Sequence, residues 1–266
     1  MSITSINDIV AGLGSDQRIN VLKNITAPKG AGAFQSAWLG TGYPGAGSAP
    51  PAYTAGSGYT ANKDTAGAVR LTNGAVKLWL AQLSMSSSLV GTIVIYDRLW
   101  SCSGMGYAAG TYTVTTPGAL PARITDSGIG CELWVEQFVV AGAASGTLTA
   151  NYLNTTPAAK SGVIAAVVSA PVIGQLQPVP LQTGDLGISQ LTSVVTSATW
   201  TSGSFGMTIL KRIATIEFTT ANVGRVLDWA QLGLPDIPND ACLAFMFQAN
   251  AATATVMQGQ LRIIDQ

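Results

Sequence analysis

Asp126, Glu132 and Glu136 are the acidic residues of this 266-residue chain whose spacing best suits chemistry. Two-residue alternation puts Glu132 and Glu136 on one face of a predicted strand, with Asp126 in the turn before it. Two carboxyls converging in a groove could serve as the acid and the nucleophile or base of a glycoside hydrolase. Three oxygen donors could instead hold calcium. The ordinary alternative is glutamates on the solvent face of a strand, engaged in surface or interface salt bridges, and it is the one favoured here.

The other candidates lack partners. Cys102, Cys131 and Cys242 are the cysteines, and there is no histidine. A nucleophilic Cys102 would need a base that histidine cannot supply, and zinc, haem and blue-copper sites of the usual kinds lose ligands. An odd number of cysteines without a Cys-x-x-Cys reads as buried, inert thiols, with room for a single bridge. Asp97 and Arg98 are expected to pair with each other, or Arg98 to lie over Trp100 as a cation-π contact. Gly40-x-Gly42 and Gly104-x-Gly106 fall short of the phosphate-binding fingerprints, and the G-x-S-x-G elbow is missing. Asn24-Ile25-Thr26 and Asn154-Thr155-Thr156 fit the glycosylation rule, but residues 1–8 have no basic n-region or apolar h-region. No catalytic residue, cofactor, metal or small-molecule ligand is therefore expected.

Composition points towards contact with other proteins. Only 10% of residues are charged, 13 basic and 13 acidic, while 47% are hydrophobic; an ordinary domain has about 25% charged residues. Much of the surface must then be Ser, Thr, Asn, Gln, Gly and Ala, which are easier to desolvate than ions. Zero net charge also removes one support for staying monomeric. Lys211 and Arg212 are the only adjacent basic pair, so the footprint of a nucleic-acid binder is missing. No apolar run approaches 18 residues, so no membrane span is expected.

The elements divide the chain at residue 67. In residues 2–27, Ser5 caps a predicted turn carrying Ile6, Ile9 and Val10. Ser15 or Asp16 caps a second predicted helix bearing Ile19, Leu22 and Val21 or Ile25, and Pro28 ends the segment. Residues 30–67 form a Gly/Pro-rich tract punctuated by Phe34, Trp38, Tyr43, Tyr53 and Tyr59. It reads as an extended arm whose rings dock on its own core or on the next subunit. These five aromatics, with Ile19 and Leu22, are the suspected interface; Trp38, Tyr43, Tyr53 and Tyr59 could alternatively stack on carbohydrate.

Beyond residue 67, strands are predicted at 92–96, 131–136, 147–153, 161–168, 189–197, 205–218, 241–248 and 255–264. Residues 77–83 fit helical spacing through Val76, Trp79, Leu80 and Leu83, but a strand followed by a polar 84–88 loop is preferred. A short helix is expected at 223–232, capped by Asn222 and closed by Gly233. The predicted fold is all-β: a jelly-roll-like β-sandwich with short N-terminal helices and an extended Gly/Pro/Tyr-rich arm. Residues 1–67 make the helical segment and arm, and residues 68–266 the sandwich core.

The short helical start, the 30–67 arm, the 92–100 segment, and 187–194 leading into 201–212 together resemble virion structural proteins of tailed bacteriophages. The resemblance is to jelly-roll head decoration, or cement, proteins in particular. It implies a non-enzymatic capsid decoration protein that stabilises the phage head by bridging major capsid subunits. Its partners would be the major capsid protein and copies of itself, as a homotrimer, located in the virion and assembled in the host cytoplasm. A tail, baseplate or receptor- or carbohydrate-binding module of the particle is the alternative left open.

Overall fold

The computed structural model describes residues 3, 5–14, 16–72, 77–106, 108–115, 119–143, 146–197 and 201–265. Ser15 and Val76, a proposed cap and a helical-spacing position, lie outside the described residues. In chain order the elements are α1 (Ile6–Gly12), β1 (Gln17–Ile25), β2 (Phe34–Ser36), β3 (Gly42–Tyr43), β4 (Leu78–Ser87), β5 (Gly91–Gly106), β6 (Gly110–Thr113), β7 (Cys131–Gln137), β8 (Leu148–Asn154), β9 (Ala159–Ile164), β10 (Gln175–Pro178), β11 (Ile188–Thr196), β12 (Ser204–Phe218), β13 (Arg225–Asp228), α2 (Trp229–Leu232), β14 (Asp236–Ile237), β15 (Leu243–Ala249) and β16 (Thr255–Asp265).

The strands make three sheets. One is six-stranded, in the order β13-β4-β16-β1-β3 with β14 on β4; another is four-stranded, β6-β11-β8-β9. Between them, β10-β2-β15-β5-β12-β7 closes into a barrel. The long antiparallel pair β5 and β12 is the spine, and it shifts register at three places along its length. Such irregularities bend a strand pair, which lets one hairpin serve two cores. Near one end Ile93, Ile95, Ile216 and Phe218 pack against Val21, Leu83, Met85, Leu261 and Ile263 of the six-stranded sheet. Near the other end Trp100, Cys102, Phe205 and Met207 pack against Leu148, Tyr152, Leu191 and Val194 of the four-stranded sheet. The alternate positions Val94, Tyr96, Trp134, Leu210 and Met246 fill the barrel itself. Each fully buried side chain of this size contributes about 1.5–3 kcal/mol.

The molecule is thus mostly β and sandwich-like, as expected, with a barrel shared by two packed layers. The first helix also forms, and Ser5 and Asp8 complete a capping box.

The second helix does not form. Residues 17–25 are β1, in which Ile19, Val21, Lys23 and Ile25 are buried and Arg18, Asn20, Leu22 and Asn24 are exposed. Ile19, Leu22 and Ile25 fit helical spacing, yet the β-branched row at 19, 21 and 25 fits a period of two better once a partner strand is present. That partner is β16, paired residue for residue from Gln17↔Ile263 to Ile25↔Thr255.

The 223–232 helix is similarly divided, into β13 and the one-turn α2. Asp228, not Asn222, accepts from the α2 amides, while Gly233 closes it in the left-handed conformation at φ 69°. Residues 84–87 belong to β4 rather than to a loop. The 30–67 tract pairs back on the chain through β2, β3 and bridges at Ala52 and Thr60.

Candidate functional site

Glu132, Trp134 and Glu136 do alternate to one side of β7, but that side is the barrel interior for Trp134 and Glu136, with Glu132 partly exposed. Each acidic residue has its own cation. Glu136 Oε2 lies 2.7 Å from Arg98 Nη2 and accepts from Thr208 Oγ1 at 2.6 Å, with all three side chains buried. Glu132 accepts from Arg212 Nη2 at 3.1 Å, Tyr96 OH at 3.0 Å and Trp134 Nε1 at 3.0 Å. Asp126 meets Lys211 Nζ at 2.5 Å and the Gly128 amide. Against the pull of partial burial, these two donors hold the Asp126 carboxyl below its ordinary value. Three carboxylates held separately by Arg98, Arg212 and Lys211 do not make the convergent pair that a glycoside hydrolase needs. Among the described residues, no group of three or more His, Cys, Asp or Glu could hold a metal ion.

Arg98 and Asp97 do not pair with each other. Successive strand residues point to opposite sides, so Arg98 enters the barrel while Asp97 turns outward to Arg123. Arg98 also stacks over Trp38, 4.6 Å from the ring centre, rather than over Trp100. Arg123 grips Asp97 through Nε at 2.8 Å and Nη2 at 3.0 Å, a bidentate geometry. Its Nη2 also donates to the Ala61 carbonyl at 2.7 Å, and the Cys242 amide completes the Asp97 shell at 2.9 Å. Burial raises the Asp97 carboxyl from its ordinary value, and Arg123 works against that rise. This arginine ties the arm to the spine. Sequence reasoning passed over it, because nothing local marks a residue in a 119–130 connection as the partner of Asp97.

Lys23, which the sequence offers with Arg18 and Lys29 as a contact for an acidic partner or as a solubilising charge, turns inward instead. It lies in the buried row of β1 and donates from Nζ to the carbonyls of Gly40 and Gly45, both at 3.0 Å. Burial pushes its ammonium down to about 8. The available signal was a lysine interrupting the apolar row Ile19, Val21, Ile25. The cysteines are all free and buried, and burial pushes each thiol up to about 12.

The structure places most of the suspected interface residues in the chain's own packing. Ile19 belongs to the first core. Trp38 is buried, its Nε1 donating to the Ser48 carbonyl. Tyr59 is buried against Trp100. Phe34 and Tyr53 are half-buried, edge-on to Trp134 and Tyr112 respectively. With Trp38 and Tyr59 inside, the proposed carbohydrate platform loses its shared exposed face. Leu22 and Tyr43 remain on the surface, 42% and 56% exposed, as cross-strand neighbours on β1 and β3.

They belong to a wider outer face. Cross-strand rows run Val226–Ser84–Gln260–Asn20 and Ser86–Gln258–Leu22–Tyr43, followed by Val256–Asn24. None of these side chains is charged. The next row of the same face, Arg18–Arg262–Gln82–Asp228, does carry charge; there Asp16 accepts from both Arg18 and Arg262, and α1 packs Ile9 with Ala81 and Ile264. Arg262 holds the Asp16 carboxyl below its ordinary value.

No protein-family description and no curated protein matches the sequence. Among solved structures, the chain shows a distant likeness to the VP2 subviral particle of infectious bursal disease virus, at 7% identity, covering 94% of this chain and 80% of that one, with a TM-score of 0.22. The T=1 particle derived from infectious bursal virus gives 11% identity over 94% and 77% of the two chains, with a TM-score of 0.20. No helix among the described residues is long and apolar enough to cross a membrane.

Proposed function

We propose that this chain is a non-enzymatic structural component of a virus particle: a capsid decoration protein that stabilises the head by bridging major capsid subunits, as a homotrimer at local three-fold positions. The supporting observation is the outer face of the six-stranded sheet, three cross-strand rows of Asn, Gln, Ser, Leu, Val and Tyr without a charged side chain. Burying an ion against a partner costs several kcal/mol unless it is paired. Amides and hydroxyls re-pair across an interface at much lower cost. A broad uncharged sheet face therefore suits permanent contact with another protein, and closed symmetric assembly is the usual way to satisfy such a face.

The test is to add purified protein to capsid shells that lack it. Stoichiometric binding, with a raised shell melting temperature, is expected. Incorporation at only a few copies per particle would point to a tail or baseplate component, and a protein that ignores shells and tails alike would overturn the proposal. Trimerisation is checked separately by light scattering.

A further inference from the structure

The edge of β1 is left open over a short stretch. On its far side β1 pairs with β16 along its whole length. On its near side, among the described residues, its backbone meets β3 at Leu22↔Tyr43 and Lys23↔Gly42 and the adjoining Thr41. The Asn24 amide donates to the Thr41 carbonyl, and a Cβ on Gly42 would lie 1.9 Å from the Leu22 carbonyl oxygen. The even-numbered residues of β1 thus aim their backbone groups at this edge. By the alternation of an antiparallel ladder, Arg18 and Asn20 aim their N–H and C=O groups the same way.

The arm leaves before covering them, because Pro44 has no N–H to continue a ladder and Lys23 holds the Gly45 carbonyl from beneath. Among the described residues, no hydrogen-bond partner takes those backbone groups of Arg18 and Asn20 on this side. The Asn20 side chain is engaged with Gln260. A groove of about 640 Å³ runs along the gap, with Tyr43 at one end and Arg70 and Thr72 among its walls.

We infer that this edge receives an extended, acidic segment of another protein, which adds a short antiparallel strand to the six-stranded sheet. Unpaired strand edges are templates for such addition. The acidic character follows from the charges around the groove: Arg70 is exposed, with no carboxylate partner among the described residues, and Arg18 shares the single carboxylate of Asp16 with Arg262, which leaves that end of the groove net positive. A second copy of β1 fits poorly, since two-fold pairing would drive each copy's Tyr43 strand into the other's β1 and bring like charges together. The inference rests on the proposal that this chain docks on other proteins, and it names where one contact forms.

Hydrogen exchange on the protein, free and bound to capsid shells lacking it, separates the two ideas. The Arg18 and Asn20 amides should exchange quickly in the free protein and at least tenfold more slowly when bound. Binding that leaves both amides unprotected would overturn the strand addition while the docking proposal stands. No binding at all would remove both. Asn20→Pro deletes an outward N–H and leaves the β16 ladder intact, so binding should fall at least tenfold; undiminished binding by a folded variant would overturn the inference. Should that variant not fold, Arg70→Glu serves instead: it should weaken binding several-fold at low salt and less at high salt, and unchanged affinity would count against the acidic partner.

Discussion

The barrel interior and the outer face of the six-stranded sheet treat charge in opposite ways. Inside, Arg98 and Glu136 are sealed in with Thr208, and Arg98 Nε and Glu136 Oε1 are buried without hydrogen-bond partners among the described residues. Outside, where ions would be well solvated, the rows through Ser84, Ser86, Gln258 and Asn20 carry none. A chain with so few charges could have spread them over its surface for solubility. Instead it buries Lys23, Asp97, Arg98 and Glu136. Buried ion pairs add little net stability, but removing one partner is severe. The interior charges therefore hold one arrangement of barrel and arm, and the three uncharged rows outside leave a surface that can be covered at low cost.

The largest test of this contrast is Glu136→Ala, which strands Arg98 in the barrel. It should lower unfolding stability by about 3–5 kcal/mol, measured by urea denaturation. The double variant Arg98→Met with Glu136→Leu should recover most of that loss. Equal damage from single and double variants would show that packing, not charge, dominates there.

Next comes Lys23. Its folded value of about 8 lies below the ordinary 10.5, so between those values the unfolded chain binds more protons. Stability contributed at this site therefore rises with pH across that window, by up to about 3 kcal/mol. The three thiols act in the opposite sense above about pH 9, because their folded values are raised to about 12. Lys23→Met isolates the lysine: the difference in stability between wild type and variant should change across pH 8–10.5 and stay flat below it. A constant difference would show that Lys23 is solvated in the folded state. Gly42→Ala forces a Cβ against the Leu22 carbonyl at φ 132°. It should cost about 1–3 kcal/mol, read from the same denaturation curves.

The smallest stability effect belongs to the outer face. Gln258→Lys should alter unfolding by less than about 0.5 kcal/mol, yet abolish stoichiometric binding to shells. A variant that still binds normally would remove this face from the proposed interface.

Local pattern determined much of the fold. The alternation in 131–136, the β-branched run 92–96 and the candidate segments 205–218 and 255–264 each became strands, because bulky and β-branched side chains suit a pleated surface. The cap at Ser5 was equally legible, since its partners are three residues away. What the sequence could not decide was anything set by distant pairing. Residues 17–25 carry both a helical and a strand period, and β16, at the other end of the chain, chose between them.

The same holds for the charges. Asp97 and Arg98 look like a pair when read along the chain, but adjacent strand residues face opposite ways, and closure of the barrel supplied Arg123 to one and Glu136 to the other. Residue types and periods are local and can be read in order. Which side of a sheet becomes interior, and which edge stays open, depends on contacts that exist only after the chain has folded.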